Sequence, residues 1–349
     1  MDNRTYELID ELSETRRLDA DGFEYLVAHQ DEDAASELAR RAVAAREPYY
    51  GTKVFVRGLI EFSNICKNDC LYCGLRASNS SCERYRLSAE DVLSCTDAGY
   101  ELGFRTFVLQ SGEDGWYNDE RLCALVAAIH ERHPDCAITL SVGERSRESY
   151  ARLREAGADR YLLRHETADP QHYARLHPQA MSFENRMRCL HDLRELGYAV
   201  GVGMMVGSPY QTPRHLAEDL AFIDRFKPEM CGIGPFIPHH ATPFASEPAG
   251  TLEQTCYLLS IVRLINPAIL LPATTALGTI DPLGREKGMM AGANVVMPNL
   301  SPSGVRGKYL LYDGKICMGD EAAECRRCLD LRMERIGYQV VVDRGDPAV

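Results

Sequence analysis

The sequence has no surplus of positive charge, no long apolar run and no low-complexity stretch, and each shortage excludes something. Its 39 Lys and Arg stand against 51 Asp and Glu, a formal net charge of −12. Binding a polyanion needs a basic face to neutralise phosphates, so nucleic acid is not an expected partner and positive groups that matter must be local. No stretch approaches the roughly 18 apolar residues of a membrane span, and the polar opening MDNRTYELIDELSETRRLDADGF does not read as a signal peptide. The expectation is a cytoplasmic protein without membrane contact. Neither a linker nor a coiled coil divides the 349 residues, a length compatible with two domains or with one large α/β barrel.

Cysteine is plentiful, with 13 residues. In a reducing compartment a disulfide framework is not expected, which leaves metal binding or redox chemistry for the cysteines that cluster. Cys82, Cys95, Cys123, Cys136, Cys189, Cys231 and Cys256 are dispersed, and most are expected to be small buried hydrophobes. The other six form two trios. Cys66, Cys70 and Cys73 follow a C-x3-C-x2-C spacing, and Cys317, Cys325 and Cys328 follow C-x7-C-x2-C.

Residues 1–50 read as a helical extension, with apolar positions at helical spacing among many charges. From 51 to 300 the texture changes to eight short apolar or β-branched runs, at 54–63, 105–112, 137–143, 160–166, 199–207, 230–236, 268–275 and 293–299. Amphipathic helical segments separate them; Ser88 and Ser182 suit N-caps, and Gly103 and Gly197 suit the ends of those two helices. Eight βα repeats in about 250 residues is the measure of a (β/α)8 TIM barrel, with a doubly wound sheet as the alternative α/β fold. A barrel places its chemistry at the C-terminal ends of its strands. Those ends are polar here, among them Ser63 and Asn64, Ser111 to Asp114, Ser141 to Glu144, Arg164 to Glu166, and Thr274 and Thr275. Residues 301–349 read as a loop-rich C-terminal segment with a helix from about Glu324, and they carry the second trio.

Three thiols in one loop can belong to a zinc site, a redox pair with a spare, or an iron–sulfur cluster. Structural zinc wants four closed ligands, and Cys82, the one further candidate nearby, fits no usual spacing. A [4Fe–4S] cluster on three thiolates leaves one iron with an open position, which suits an enzyme that must bring a ligand to that iron. A C-x3-C-x-Φ-C loop after the first barrel strand, with Tyr72 as the aromatic, resembles the signature of the radical S-adenosylmethionine (SAM) superfamily. The strings RGLIEFSNICKNDCLYCGLR, LQSGED, RYLLRHET, SFENR, GIGPFIPH, PATTALGTI and NVVMPN, in this order, resemble the HydE type of [FeFe]-hydrogenase maturase over residues 5–338.

The resemblance implies that Cys66, Cys70 and Cys73 hold a catalytic [4Fe–4S] cluster whose open iron takes the amino and carboxylate groups of SAM. It implies further that Ser111, Gly112 and Glu113 face the methionine ammonium, which needs acceptors. Arg164 and Arg186 would meet the carboxylate through a guanidinium fork, and Glu166 the ribose hydroxyls. Met205 and the backbone of Phe236 and Ile237 would flank the adenine, and Tyr72, the aromatic of the motif, would be a further cofactor-binding residue. Arg164 and Glu166 alternate within a strand and should point inward, whereas His165 between them should point outward and pack on a helix. Thr139, Ser141, Thr274, Thr275, Met297, Tyr309 and Tyr312 match positions that line a deeper substrate cavity in such proteins.

The implied substrate is a small anionic, cysteine-bound iron–CO–cyanide complex used in building the hydrogenase H-cluster. The implied partners are an electron donor such as a flavodoxin or ferredoxin and other maturation proteins. The Cys317, Cys325, Cys328 trio would hold an accessory [2Fe–2S] or [4Fe–4S] cluster. Methylornithine synthase and biotin synthase share the barrel and first motif, but the former is expected to lack the second trio. Biotin synthase is expected to show a YNHNLD-like segment where this chain has LLRHETADP. An iron–sulfur scaffold or carrier is the non-enzymatic alternative, and would need neither the Ser111–Glu113 turn nor Arg164 and Glu166.

Overall fold

The computed structural model describes residues 2–317 and 322–348, with side chains in the C-terminal helix from 326 onward. The chain begins with helices Asn3–Thr15, Ala20–Ala28 and Glu32–Tyr50. Each is preceded by an aspartate, Asp2, Asp19 or Asp31, whose carboxylate accepts a backbone N–H of the first turn. Such a cap contributes about 1 kcal/mol. The apolar faces of these helices, including Leu8, Leu12, Phe23 and Leu38, are buried in the hydrophobic cluster that fills the rest of the molecule.

Eleven strands follow in the described residues: β1 (Lys53–Val56), β2 (Gly58–Ser63), β3 (Thr106–Ser111), β4 (Ala137–Ser141), β5 (Arg160–Leu162), β6 (Ala199–Val202), β7 (Met205–Val206), β8 (Met230–Cys231), β9 (Gly234–Pro235), β10 (Val295–Val296) and β11 (Gln339–Val341). The parallel sheet β2-β3-β4-β5-β6-β8 forms most of a barrel. Single parallel bridges Met230↔Leu270, Pro272↔Val295 and Leu59↔Asn299 carry the ring round to its first strand. The expected barrel is therefore present, with helices alternating outside its strands.

The departures have local causes. The run 268–275 bonds only through bridges at Leu270 and Pro272, because Pro272 has no N–H to continue a ladder. The first run divides at Arg57, so that β1 pairs with β10 on one side and with β11 on the other. The runs 199–207 and 230–236 also divide, and their upper parts, β7 and β9, pair separately at the barrel top. Strand β11 was not expected; it is three residues long and follows the eight βα repeats.

Helix boundaries agree with the expected caps. Ser88 forms a reciprocal capping box with Asp91, Ser182 accepts from the Asn185 N–H, and Gly103 and Gly197 turn the chain out at φ +84° and +77°. Of the dispersed cysteines, Cys95, Cys136, Cys189 and Cys231 are buried, while Cys82, Cys123 and Cys256 are half-buried. Among the described residues no helix is long and apolar enough to cross a membrane.

Candidate active site in the barrel mouth

A cavity of about 330 Å³ opens at the C-terminal ends of the strands. On its wall lies the cysteine loop that leaves β2, which the chain holds from several sides. Arg84 donates to the carbonyls of Asn64, Leu75 and Arg76, and Arg76 pairs with Asp69 through two bonds of 2.8 and 2.6 Å. Ser63, at the end of β2, donates to Asp114 at 2.7 Å, and Arg86 closes on the same carboxylate. Gly74 is required by space: a Cβ there would lie 2.2 Å from the Leu310 carbonyl and 2.4 Å from the His239 ring.

Cys66, Cys70 and Cys73 all line this cavity. Backbone N–H groups of Glu113 and Leu75 point at the sulfurs of Cys66 and Cys73, each at 3.4 Å. Burial pushes all three thiols up, that of Cys73 to about 12. Such thiols stay protonated unless a metal binds the thiolate and reverses the balance. Structural zinc wants four closed protein ligands, whereas a cubane cluster spreads three thiolates over separate irons and leaves the fourth iron open, which three thiols on one cavity wall suit. The donor set thus fits a cluster better than one ion.

Beside the cysteines stand the groups expected for SAM. Ser111, Gly112 and Glu113 form the turn after β3, where a Cβ on Gly112 would lie 2.4 Å from the Ile65 carbonyl and 2.7 Å from the Cys66 Cβ. The Glu113 carboxylate accepts from the Glu144 N–H at 2.9 Å and pairs with Lys67 at 3.1 Å. Arg186 is buried and pairs with Glu144 at 2.6 Å, its other end donating to the Arg164 carbonyl. Arg164 itself lines the cavity, and no hydrogen bond or ion pair engages its guanidinium among the described residues. Glu166 also lines it, at φ +66°, with Oε2 buried and lacking a hydrogen-bond partner. Met205 and Phe236 share an apolar cluster with Leu176, Phe244, Leu71 and Tyr72, and Ile237 lies on the same wall.

The deeper group divides. Ser141, Thr274, Thr275, Met297, Tyr309 and Tyr312 line the cavity, and the Thr274 hydroxyl is buried without a partner. Thr139 is buried, two residues below Ser141 on the same face of β4, and is not on the cavity wall. Of the second trio, neither Cys317 nor Cys328 is on the wall. Cys317 sits at φ +65° with its sulfur 3.6 Å from Arg285, Cys328 is exposed on helix Ala322–Arg335, and the side chain of Cys325 lies outside the described residues. Arg332 is near both Cys317 and Cys328.

Sequence reasoning missed a buried polar floor. Glu61, inward-facing on β2, pairs with Lys315 at 2.6 Å and accepts from Asn299 at 2.8 Å; burial raises its carboxyl against the pull of Lys315. Lys315 also donates to the Tyr309 carbonyl, and Gln110 donates to the Tyr309 hydroxyl at 3.3 Å. The signal for Glu61 was present as a lone acid in an apolar strand. Nothing in the tail marked Lys315.

Residues 60–223 match the family described as the radical SAM superfamily. The chain is 45% identical over 308 residues to the [FeFe] hydrogenase maturase subunit HydE of Thermotoga maritima, covering 88% of each protein. It is 29% identical over 282 residues to a 3-methylornithine synthase of Methanosarcina acetivorans, covering 80% of this chain and 79% of that protein. Among solved structures, methylornithine synthase (PylB) superposes with a TM-score of 0.85 at 26% identity, over 96% of this chain and 97% of that one. The FeFe-hydrogenase maturase HydG from Carboxydothermus hydrogenoformans shares the fold, with a TM-score of 0.80 at 20% identity over 96% of this chain and 78% of that one.

Proposed function

Because this chain belongs to the HydE family of [FeFe]-hydrogenase maturases, within the radical SAM superfamily, we propose that its barrel mouth binds SAM against a [4Fe–4S] cluster held by Cys66, Cys70 and Cys73. The chain is a radical SAM enzyme. The observation that carries the site reading is the meeting, in one cavity, of three thiols, an unengaged guanidinium on Arg164 and an unpartnered carboxylate oxygen on Glu166. The cluster that Cys66, Cys70 and Cys73 would hold would supply one electron for cleaving SAM to methionine and a 5′-deoxyadenosyl radical.

The chain's own residues bind, orient and exclude water. Arg164 receives the methionine carboxylate, and Arg186, already paired with Glu144, fixes the Arg164 backbone through its carbonyl. Glu113 and the carbonyls of the Ser111–Gly112 turn accept from the ammonium, with Glu113 exchanging its contact to solvent-exposed Lys67 for the ligand. Glu166 accepts from the ribose hydroxyls, and Tyr72, Met205, Phe236 and Ile237 enclose the adenine. Such fixed dipoles need no reorganisation when the ligand arrives.

Below them, Ser141, Thr274, Thr275, Met297, Tyr309 and Tyr312, with Thr139 supporting from the layer beneath, form the receptacle for a small anionic iron complex that carries cysteine, CO and cyanide. Cys317, Cys325 and Cys328 hold an accessory cluster, either [2Fe–2S] or [4Fe–4S]. A flavodoxin or ferredoxin supplies the electron, and other hydrogenase maturation proteins receive the product.

The test is anaerobic reconstitution with iron and sulfide, followed by dithionite and SAM. Methionine and 5′-deoxyadenosine should form in equal amounts, and Cys70→Ala should form neither above background. Cleavage by Cys70→Ala at the wild-type rate would remove the assignment.

A further inference from the structure

Glu166 adopts a left-handed backbone conformation, φ +66°, which a non-glycine residue holds only where its neighbours impose it. Those neighbours can be named. The Glu166 N–H donates to the Gly203 carbonyl at 3.0 Å, and the Gly203 N–H returns to Nδ1 of His165 at 3.2 Å. With Nδ1 accepting, the imidazole proton is on Nε2. That nitrogen donates to Oδ1 of Asp219 at 3.2 Å, and the same oxygen accepts the Ala168 N–H at 2.6 Å. His165 and Asp219 both have side chains with 0% exposure, and Phe222 covers the ring at 4.7 Å. Asp219 comes from helix Pro213–Phe226. The segment 165–168 is thereby fastened at both ends, to the next strand and to the helix outside it, with Glu166 between the fastenings.

We propose that His165 and Asp219 are positioning residues that aim the Glu166 carboxylate into the cavity as a preformed acceptor for the ribose diol of SAM. The proposal rests on the SAM-site reading above. Two features of the chain support it. Oε2 of Glu166 is buried with no partner among the described residues on a side chain that lines the cavity, so its acceptor capacity is open to a ligand there. A carboxylate also offers two acceptor oxygens to two adjacent hydroxyls, a match that depends on its angle of approach and therefore on the backbone that carries it. Aiming the acceptor before the ligand arrives removes an ordering cost from binding.

The test compares binding of SAM with that of its 2′,3′-dideoxy analogue to the reconstituted, oxidised holoenzyme, without reductant so that neither is cleaved. The readout is the ratio of the two dissociation constants. Wild type should favour SAM about tenfold or more. Glu166→Ala, His165→Ala and Asp219→Ala should bring the ratio to within about twofold of unity, with iron content unchanged. Asp219→Asn keeps the acceptor oxygen and should keep the wild-type ratio, which separates orientation from charge. If His165→Ala does not fold, the Asp219 pair makes the same comparison. A wild-type ratio in His165→Ala or Asp219→Ala, with a collapsed ratio in Glu166→Ala, overturns the proposal while leaving the ribose contact standing. A wild-type ratio in Glu166→Ala removes the ribose reading, and the positioning role falls with it.

Discussion

Tyr72 of the cysteine loop donates its hydroxyl to Nε2 of His177 at 3.1 Å, and Nδ1 of His177 donates to the Tyr173 carbonyl at 3.0 Å. Burial first, and the nearby Arg186 second, push the imidazole down to about 3, so the ring is neutral in the folded protein and accepts from Tyr72. The unfolded chain binds a proton at this residue below about 6.5 and the folded chain does not, so its contribution to stability falls as pH drops from about 6.5 toward 3. His177→Gln keeps a hydrogen-bonding side chain without the titration. Its melting temperature should decline less steeply than that of wild type between pH 7 and 4.5, and parallel curves would contradict the shift. At this scale the sequence was informative where chemistry repeats a pattern, as in the cysteine trio and the Arg164–Glu166 alternation. It was silent on His177 and Lys315, whose partners lie 105 and 254 residues away.

Two glycines at strand ends offer separate tests of the proposed cluster and SAM sites. A Cβ on Gly112 meets the Ile65 carbonyl and the Cys66 Cβ, both part of the cysteine loop, so Gly112→Ala should cut reconstituted iron content at least by half. Gly143, after β4, has φ +81°, and a Cβ there would lie 2.1 Å from the Glu113 Cγ. A non-glycine residue in that conformation costs about 1 kcal/mol, and Glu113 must also move. Gly143→Ala should therefore keep its iron and weaken SAM binding about tenfold, as read by the cluster spectrum on titration. Equal iron loss in both variants would show that the two turns act as one unit. Element by element, the strand and cap signals were legible because they are local. The division of three runs and the strand held by isolated bridges at Leu270 and Pro272 were not, because each depends on which neighbour a backbone group finds.

The molecule as a whole is fastened underneath by its C-terminal segment. β11 extends the β1 edge, and beyond it Arg344 reaches Asp159 at 3.1 Å while Asp346 pairs at 2.7 Å with Arg160, a residue at the foot of β5 that is 1% exposed. Burial lowers the Arg160 guanidinium and Asp346 offsets this. Removing one partner leaves a buried cation short of compensation, although Asp346 is itself 55% exposed and the Arg344 carbonyl still accepts from Arg160. Asp346→Ala should cost about 1–2 kcal/mol in urea unfolding of the purified protein. A difference below about 0.3 kcal/mol would show that the carbonyl alone suffices.

Composition, periodicity and the cysteine spacing determined the α/β barrel and the cysteine loop at the ends of its strands, because strand alternation and ligand spacing are properties of nearby residues. Only the tertiary structure decided which polar groups remain unspent there. Glu113 and Arg186 are already paired, while the Arg164 guanidinium and Oε2 of Glu166 have no hydrogen-bond partner among the described residues, and that distinction arises where strand ends from distant parts of the chain are brought together.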